Sequence, residues 1–95
     1  MKTTVHFRKW FGGEIIALFP ELPHDPNGVY CMSYEQLGQH GASALDLPNT
    51  VSATPREYEK LAKELTAIGY DLRPVGRITA KMHLSRVTAA HENQA

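Results

Sequence analysis

Apolar and polar positions alternate through the first third of the chain. From Thr3 to Trp10, small or polar residues alternate with apolar and aromatic ones; Glu14 to Phe19 is a compact apolar run, and Gly12-Gly13 lies between them. Two such runs joined by a Gly-Gly pair predict a β-hairpin with a primed turn. A period of two sends Val5, Phe7, Lys9 and Phe11 to one side and His6, Arg8 and Trp10 to the other, with Val5 and Phe7 the better candidates to meet a helix. The second run is apolar on both sides, which predicts an interior strand covered on both faces. Pro20 to Gly28, PELPHDPNG, is loop chemistry throughout. Val29 to Tyr34 then supplies β-branched and aromatic residues for a third strand, antiparallel to the second.

Between Thr54 and Tyr70 the period changes to three and four. Tyr58, Leu61, Ala62, Leu65 and Ile68 fall on one stripe of a predicted helix about 20 Å long. Thr54 stands at the N-cap, Pro55 at the first helical position and Glu57 at capping-box spacing. Gly69 can take the left-handed conformation that ends the helix, and Tyr70 can fold back over its last turn. Arg56, Glu59, Lys60, Lys63 and Glu64 make the opposite, solvated face.

The segment from Glu35 to Ala53 carries little periodicity. Ser33 and Gln36 have capping-box spacing for a short helical turn through Leu37, which Gly38 and Gly41 would stop; an ordered loop through Gly38 to Gly41 is the alternative. Val51 to Ala53 adds a brief extended segment. Asp71 to Ile78 predicts a final strand, with Pro74 demanding an edge position or a bulge. From Thr79 apolar residues thin out, so residues 79–95 are expected to form a flexible C-terminal tail.

The expected architecture is α+β over residues 1–78: a three-stranded antiparallel β-meander, one long helix packed on the sheet, and a final strand, β-β-β-α-β. One helix covers one face of such a sheet. The other, bearing His6, Arg8 and Trp10, would be covered by the 35–53 segment or by a second copy of the chain, giving a homodimer.

Composition narrows the partners. Ninety-five residues make one domain able to bury a single core without staples. Ten Lys and Arg balance ten Asp and Glu, so no global field draws the chain to nucleic acid or an anionic membrane. Cys31 is the single cysteine, which excludes an intramolecular disulfide and favours a reducing, cytoplasmic setting. The N-terminus lacks an apolar signal region, and Ile15 to Phe19 is too short to span a bilayer, so the protein is expected to be soluble and not membrane-bound.

Three constellations carry chemistry. Gly38-Gln39-His40-Gly41 sets an imidazole between glycines, where backbone can approach a ligand closely; Gln39 and His40 are the candidate ligand or partner contacts, against the plainer reading of a surface histidine between tight turns. Cys31 and His40 as nucleophile and base would need hydrogen-bond reach and an orienting third group, whereas a lone mid-strand cysteine is usually a small buried hydrophobe. No catalytic residue is therefore assigned and no enzyme is expected. Five histidines lack helical pairing and a second cysteine, so neither metal nor cofactor is expected. Arg8 and Trp10 on the first strand with Arg73 and Arg77 on the last form a basic and aromatic strip if those strands are neighbours, the kind of surface that holds single-stranded nucleic acid. Strand edges guarded by Lys and Arg look the same.

The segments HFRKWFGGEIIALFPELP, YCMSYEQLGQHG and TPREYEKLAKELTAIGYDLRPVGRI together resemble a family of short, uncharacterised proteins encoded in bacteria and their phages or prophages. The resemblance spans Lys2 to Ile78 and implies a small intracellular accessory protein, bringing no activity, cofactor or site residue. The function expected is an interaction protein that binds a protein partner, or itself, through its open sheet face and the loop around His40. A single-stranded nucleic-acid-binding module is the alternative, and a Cys/His-dependent enzyme comes after it.

Overall fold

The alternating N-terminal third folds as the centre of a six-stranded sheet. The computed structural model describes residues 2–35, 39–43 and 47–92. Its elements are β1 (Thr3–Trp10), β2 (Ile15–Pro23), β3 (Cys31–Glu35), β4 (Gln39–Ser43), β5 (Thr50–Ser52), α1 (Pro55–Ala67), β6 (Leu72–Pro74) and α2 (Ala80–Glu92). The class is α+β, with more strands and one more helix than expected. Strand order is β4-β3-β2-β1-β5, and β6 also lies on β1. All pairs are antiparallel except β1 with β6, which is parallel.

The β1–β2 hairpin is present, but its turn is not the primed one. Gly13 N–H donates to the Trp10 carbonyl at 2.8 Å, Trp10 N–H donates to the Glu14 carbonyl at 2.8 Å, and Gly13 alone of the pair has positive φ, at 100°. A primed type I turn needs positive φ at both central residues; this is the three-residue loop with a glycine bulge. β2 also runs further than expected, to Pro23, with a register shift between Phe19 and Pro23 that absorbs its prolines. The loop is thus displaced to His24–Tyr30, where Asp25 accepts from the backbone N–H groups of Asn27, Val29 and Tyr30.

The interior strand is covered on both faces, as its composition requires. On one face Val5, Phe7, Ile15, Ala17, Phe19 and Tyr34 form a core with Leu61 and Leu65 of α1. The Phe7 ring stacks on Tyr58 at 4.1 Å and the Phe19 ring on Tyr70 at 5.0 Å. The start of α1 carries the full capping box: Glu57 N–H donates to Thr54 Oγ1, and Thr54 N–H donates to Glu57 Oε1. At its end Tyr70 N–H reaches the Leu65 carbonyl and Gly69 N–H the Thr66 carbonyl, with Gly69 at φ 117°, a Schellman closure. That closure corrects the expected stripe at its last member. Ile68 becomes the C-cap and is 53 % exposed.

On the opposite face, Ile16, Leu18 and Cys31 pack with Trp10, Leu47 and Ile78. Here residues 80–92 form a helix lying across β2, with Met82, Arg86 and Ala90 buried, where a flexible tail was expected. Thr79 opens it by accepting from Met82 N–H at its hydroxyl and from His83 N–H at its carbonyl. The guanidinium of Arg86, 0 % exposed, explains why the apolar pattern missed this helix: its buried face is centred on a cation. Nε donates to the Gly28 carbonyl at 2.8 Å, one terminal nitrogen to the Pro20 carbonyl at 2.9 Å, and the other to His83 Nδ1 at 2.5 Å. Gly28 has φ 70°, and a Cβ there would stand 3.0 Å from Val87 Cα and 3.1 Å from Ala90 Cβ, so the loop docks on α2 at a position only glycine fits. The second face is covered from within the chain, and the uncovered apolar face that suggested a homodimer is not there.

Candidate interaction edge

The two edges of the sheet are built differently. Along the outer edge of β1, β6 pairs with Thr3–Val5 and β5 with Arg8–Trp10. Further bonds join Thr3 N–H to the Asp71 carbonyl, Val75 N–H to the Val5 carbonyl, Ala53 N–H to the Phe7 carbonyl and Phe11 N–H to the Asn49 carbonyl. Side chains fasten the same edge. Arg8 spends its three guanidinium nitrogens on Thr50 Oγ1, Ser52 Oγ and the Thr50 carbonyl, at 2.8 to 3.1 Å. Arg73 donates to Thr4 Oγ1 at 2.8 Å and stands 4.0 Å from Glu21. β5 and β6 are three residues each, and β6 ends in a proline, the usual devices for blunting an edge.

The other edge is β4, five residues reading QHGAS, with no proline and no formal charge. Its pairing with β3 follows from alternation. Trp10 donates to Glu14, and β1 pairs His6 with Leu18 and Arg8 with Ile16, so Ile16 and Leu18 bond toward β1 while Ala17 and Phe19 bond toward Tyr34 and Met32 of β3. Cys31, Ser33 and Glu35 then bond toward Ser43, Gly41 and Gln39. The backbone groups of His40 and Ala42 point away from the sheet. Gly41 lies close to Ser33: a Cβ at Gly41 would stand 3.5 Å from Ser33 Oγ, which itself accepts from Ser43 Oγ at 3.1 Å.

Gln39, His40 and Gly41 therefore sit in a strand and not in the expected loop; Gly38 and the helical-turn reading at Gln36–Leu37 fall outside the described residues. The ladder also separates Cys31 from His40. Cys31 is opposite Ser43 and His40 opposite Tyr34, an offset of about 10 Å along the strands. Cys31 is buried, and its burial pushes the thiol pKa up, with Arg86 nearby working in the opposite sense. This is the environment of an inert thiol.

β1 and β6 are neighbours, as the basic strip requires, yet the strip is largely consumed. Arg8 and Arg73 are bonded as described, Trp10 is half-buried against Ile16, Leu18 and Cys31, and Arg77 is exposed. Lys9 pairs with Glu57, and with the Thr54 backbone this holds the Glu57 carboxyl down at about 2. Among the described residues no group of His, Cys, Asp and Glu could hold a metal ion. Among the described residues no helix is long and apolar enough to cross a membrane. The strand character of β4 was hidden in the sequence because its five residues hold no β-branched or aromatic side chain, and Gly38 and Gly41 read as turn signals. Searches against protein-family models, curated proteins and solved structures give no match.

Proposed function

We propose that this protein is an interaction module that accepts an extended segment of a protein partner along β4, with the backbone of His40 and Ala42 supplying the hydrogen bonds. One observation carries the reading: the chain blunts one edge of its sheet with two short strands, a proline and fastened arginines, and leaves the other edge as an uncharged five-residue strand. Strand addition takes affinity from main-chain bonds and specificity from alternate side chains of the incoming segment. In this reading the segment around His40 binds the partner through its backbone. A cytoplasmic setting suits the unpaired, buried Cys31. A single-stranded nucleic acid has less behind it, because Arg8 already bonds Thr50 and Ser52 through all three guanidinium nitrogens and the formal charge is zero.

Panning a random-peptide display library tests the proposal. Selected peptides are expected to be extended, to shift the amide resonances of His40 and Ala42, and to lose at least tenfold in affinity on Ala42→Pro, which deletes an outward N–H while leaving the bonds to β3. Peptides that bind Ala42→Pro and the unaltered protein equally would refute it. Sedimentation of the protein alone shows whether the added strand comes from a second copy.

A further inference from the structure

The glycine at the middle of β4 has no cause within the described residues. Gly41 is the third of the five residues of β4, and glycine weakens the interior of a strand through its backbone entropy and its missing side chain. A left-handed φ would require one, and Gly41 does not have it. A bulge would also account for it, yet the pairing with β3 runs unbroken from Cys31–Ser43 to Glu35–Gln39. Crowding is the third local reason. A Cβ at Gly41 would stand 3.5 Å from Ser33 Oγ, an ordinary contact, and chain neighbours apart it would meet nothing else among the described residues within 4 Å. The reason left is the close approach of another molecule.

The strand sets this notch where an added strand would meet it. Gly41 bonds toward Ser33, so an antiparallel segment bonded to His40 and Ala42 brings one residue directly opposite Gly41 in a non-hydrogen-bonded pair. In such a pair the Cα atoms lie about 4.5 Å apart and the side chains come closest. The side chain of that residue shares the face of Gly41. Through the pairs Leu18–Ser33 and Ser33–Gly41, this is the face that α2 covers over β2. Gly41 is half-buried there, and the Ser33 hydroxyl beside it accepts from Ser43. Three incoming residues therefore make four main-chain bonds, and the middle one has an empty place next to it.

We infer that the segment accepted along β4 carries an aromatic residue opposite Gly41, with its ring laid over the glycine. This rests on the strand-addition reading and adds the chemistry of the partner to it. A flat ring fills the space of a missing side chain and shields the backbone bonds between Gly41 and Ser33 from water, the compensation that aromatic residues give to glycines at sheet edges. Branched aliphatic side chains stand up from the sheet and cover less of the neighbouring strand. The partner is a different chain. A second copy paired through its own β4 about Gly41 would set glycine against glycine and leave both notches empty.

The probes are three peptides, acetyl-Lys-Thr-Val-Xaa-Val-Thr-Lys-amide with Phe, Leu or Ala at the centre, titrated into the full chain and followed by proton and ¹⁵N resonances. The Phe peptide should bind about fivefold more tightly than the other two. It alone should move a Gly41 Hα upfield through the ring current, while all three shift the amides of His40 and Ala42. Gly41→Ala should keep a urea midpoint at or above that of the unaltered protein and lose both the ring-current shift and the preference for Phe. Equal binding of the three peptides with shifts at His40 and Ala42 would overturn this inference and leave the strand-addition reading standing. No binding by any of them at a concentration of about 5 mM would overturn both. A lower midpoint for Gly41→Ala would show that the fold itself requires the glycine and would likewise overturn the inference.

Discussion

Replacing Arg86 by methionine tests how the second face of the sheet is held. The guanidinium is fully buried and meets carbonyl oxygens of Pro20 and Gly28 and the His83 ring, with no carboxylate within ion-pair distance among the described residues. Methionine keeps most of the length and apolar contact but donates nothing. Two carbonyls then lose their partners inside the core, at about 1–3 kcal/mol each. Removing a buried cation relieves desolvation, and replacing an entire buried ionic set by apolar groups is often neutral; here the acceptors remain, so the loss wins. The expected net destabilisation is about 2–4 kcal/mol, or roughly 10–30 °C in Tm for a domain of this size. Urea unfolding followed by far-UV circular dichroism reads it as a lower midpoint with an unchanged slope. Arg86→Lys should fall between, since one ammonium cannot reproduce the fork that spans both carbonyls. An Arg86→Met protein within about 0.5 kcal/mol of the unaltered one would show that the guanidinium is not what joins α2 to the β2–β3 loop.

Gly28→Ala should be nearly as damaging, because the new Cβ would need positive φ and would stand 3.0 Å from Val87 Cα; the same unfolding titration checks it, and an unchanged midpoint would contradict the docking. Thr54→Ala removes the N-cap of α1 and should cost about 1 kcal/mol by the same measurement. Glu57 is held at about 2 in the folded chain against an ordinary 4.5, and Asp25 is also lowered by backbone N–H groups, so their contribution is complete above about pH 4.5 and is lost as pH falls toward 2. Unfolding midpoints of Glu57→Gln should therefore vary less over that interval than those of the unaltered protein, and identical profiles would contradict the Lys9–Glu57–Thr54 linkage. Cys31, buried with a raised thiol pKa, should react with a disulfide reagent only at the rate of unfolding, and a fast reaction in native buffer at neutral pH would restore the enzyme reading.

What the sequence made legible was whatever rests on local chemistry. The hairpin strands, the capping box of Thr54 and Glu57, the Gly69 closure and the doubly covered β2 all follow from residue type and spacing, and each stands in the structure. α2 was not legible because its buried stripe is Met82, Arg86 and Ala90, and a cation in the middle reads as solvent-facing until Pro20 and Gly28 supply its acceptors. Ile68 kept helical spacing but lies past the last helical turn. For the site, the glycines set the stretch holding Gln39 and His40 apart as a loop, and the structure makes it a strand. Its strand pairing depends on Cys31–Glu35, a tertiary partner that propensity does not encode. The Arg8, Arg73 and Arg77 strip was legible as a neighbourhood, and its hydrogen bonds to Thr50, Ser52 and Thr4 were not.

The open β4 edge is tested most directly by amide hydrogen exchange, residue by residue, on the protein without a partner. Gly41 and Ser43, bonded to Ser33 and Cys31, should exchange slowly, and His40 and Ala42 should exchange at least tenfold faster, then become protected when a strand-forming peptide is added. Slow exchange at all four positions in the free protein would mean that the edge is already occupied, and fast exchange at all four would mean that β4 is not a strand; either result contradicts the account.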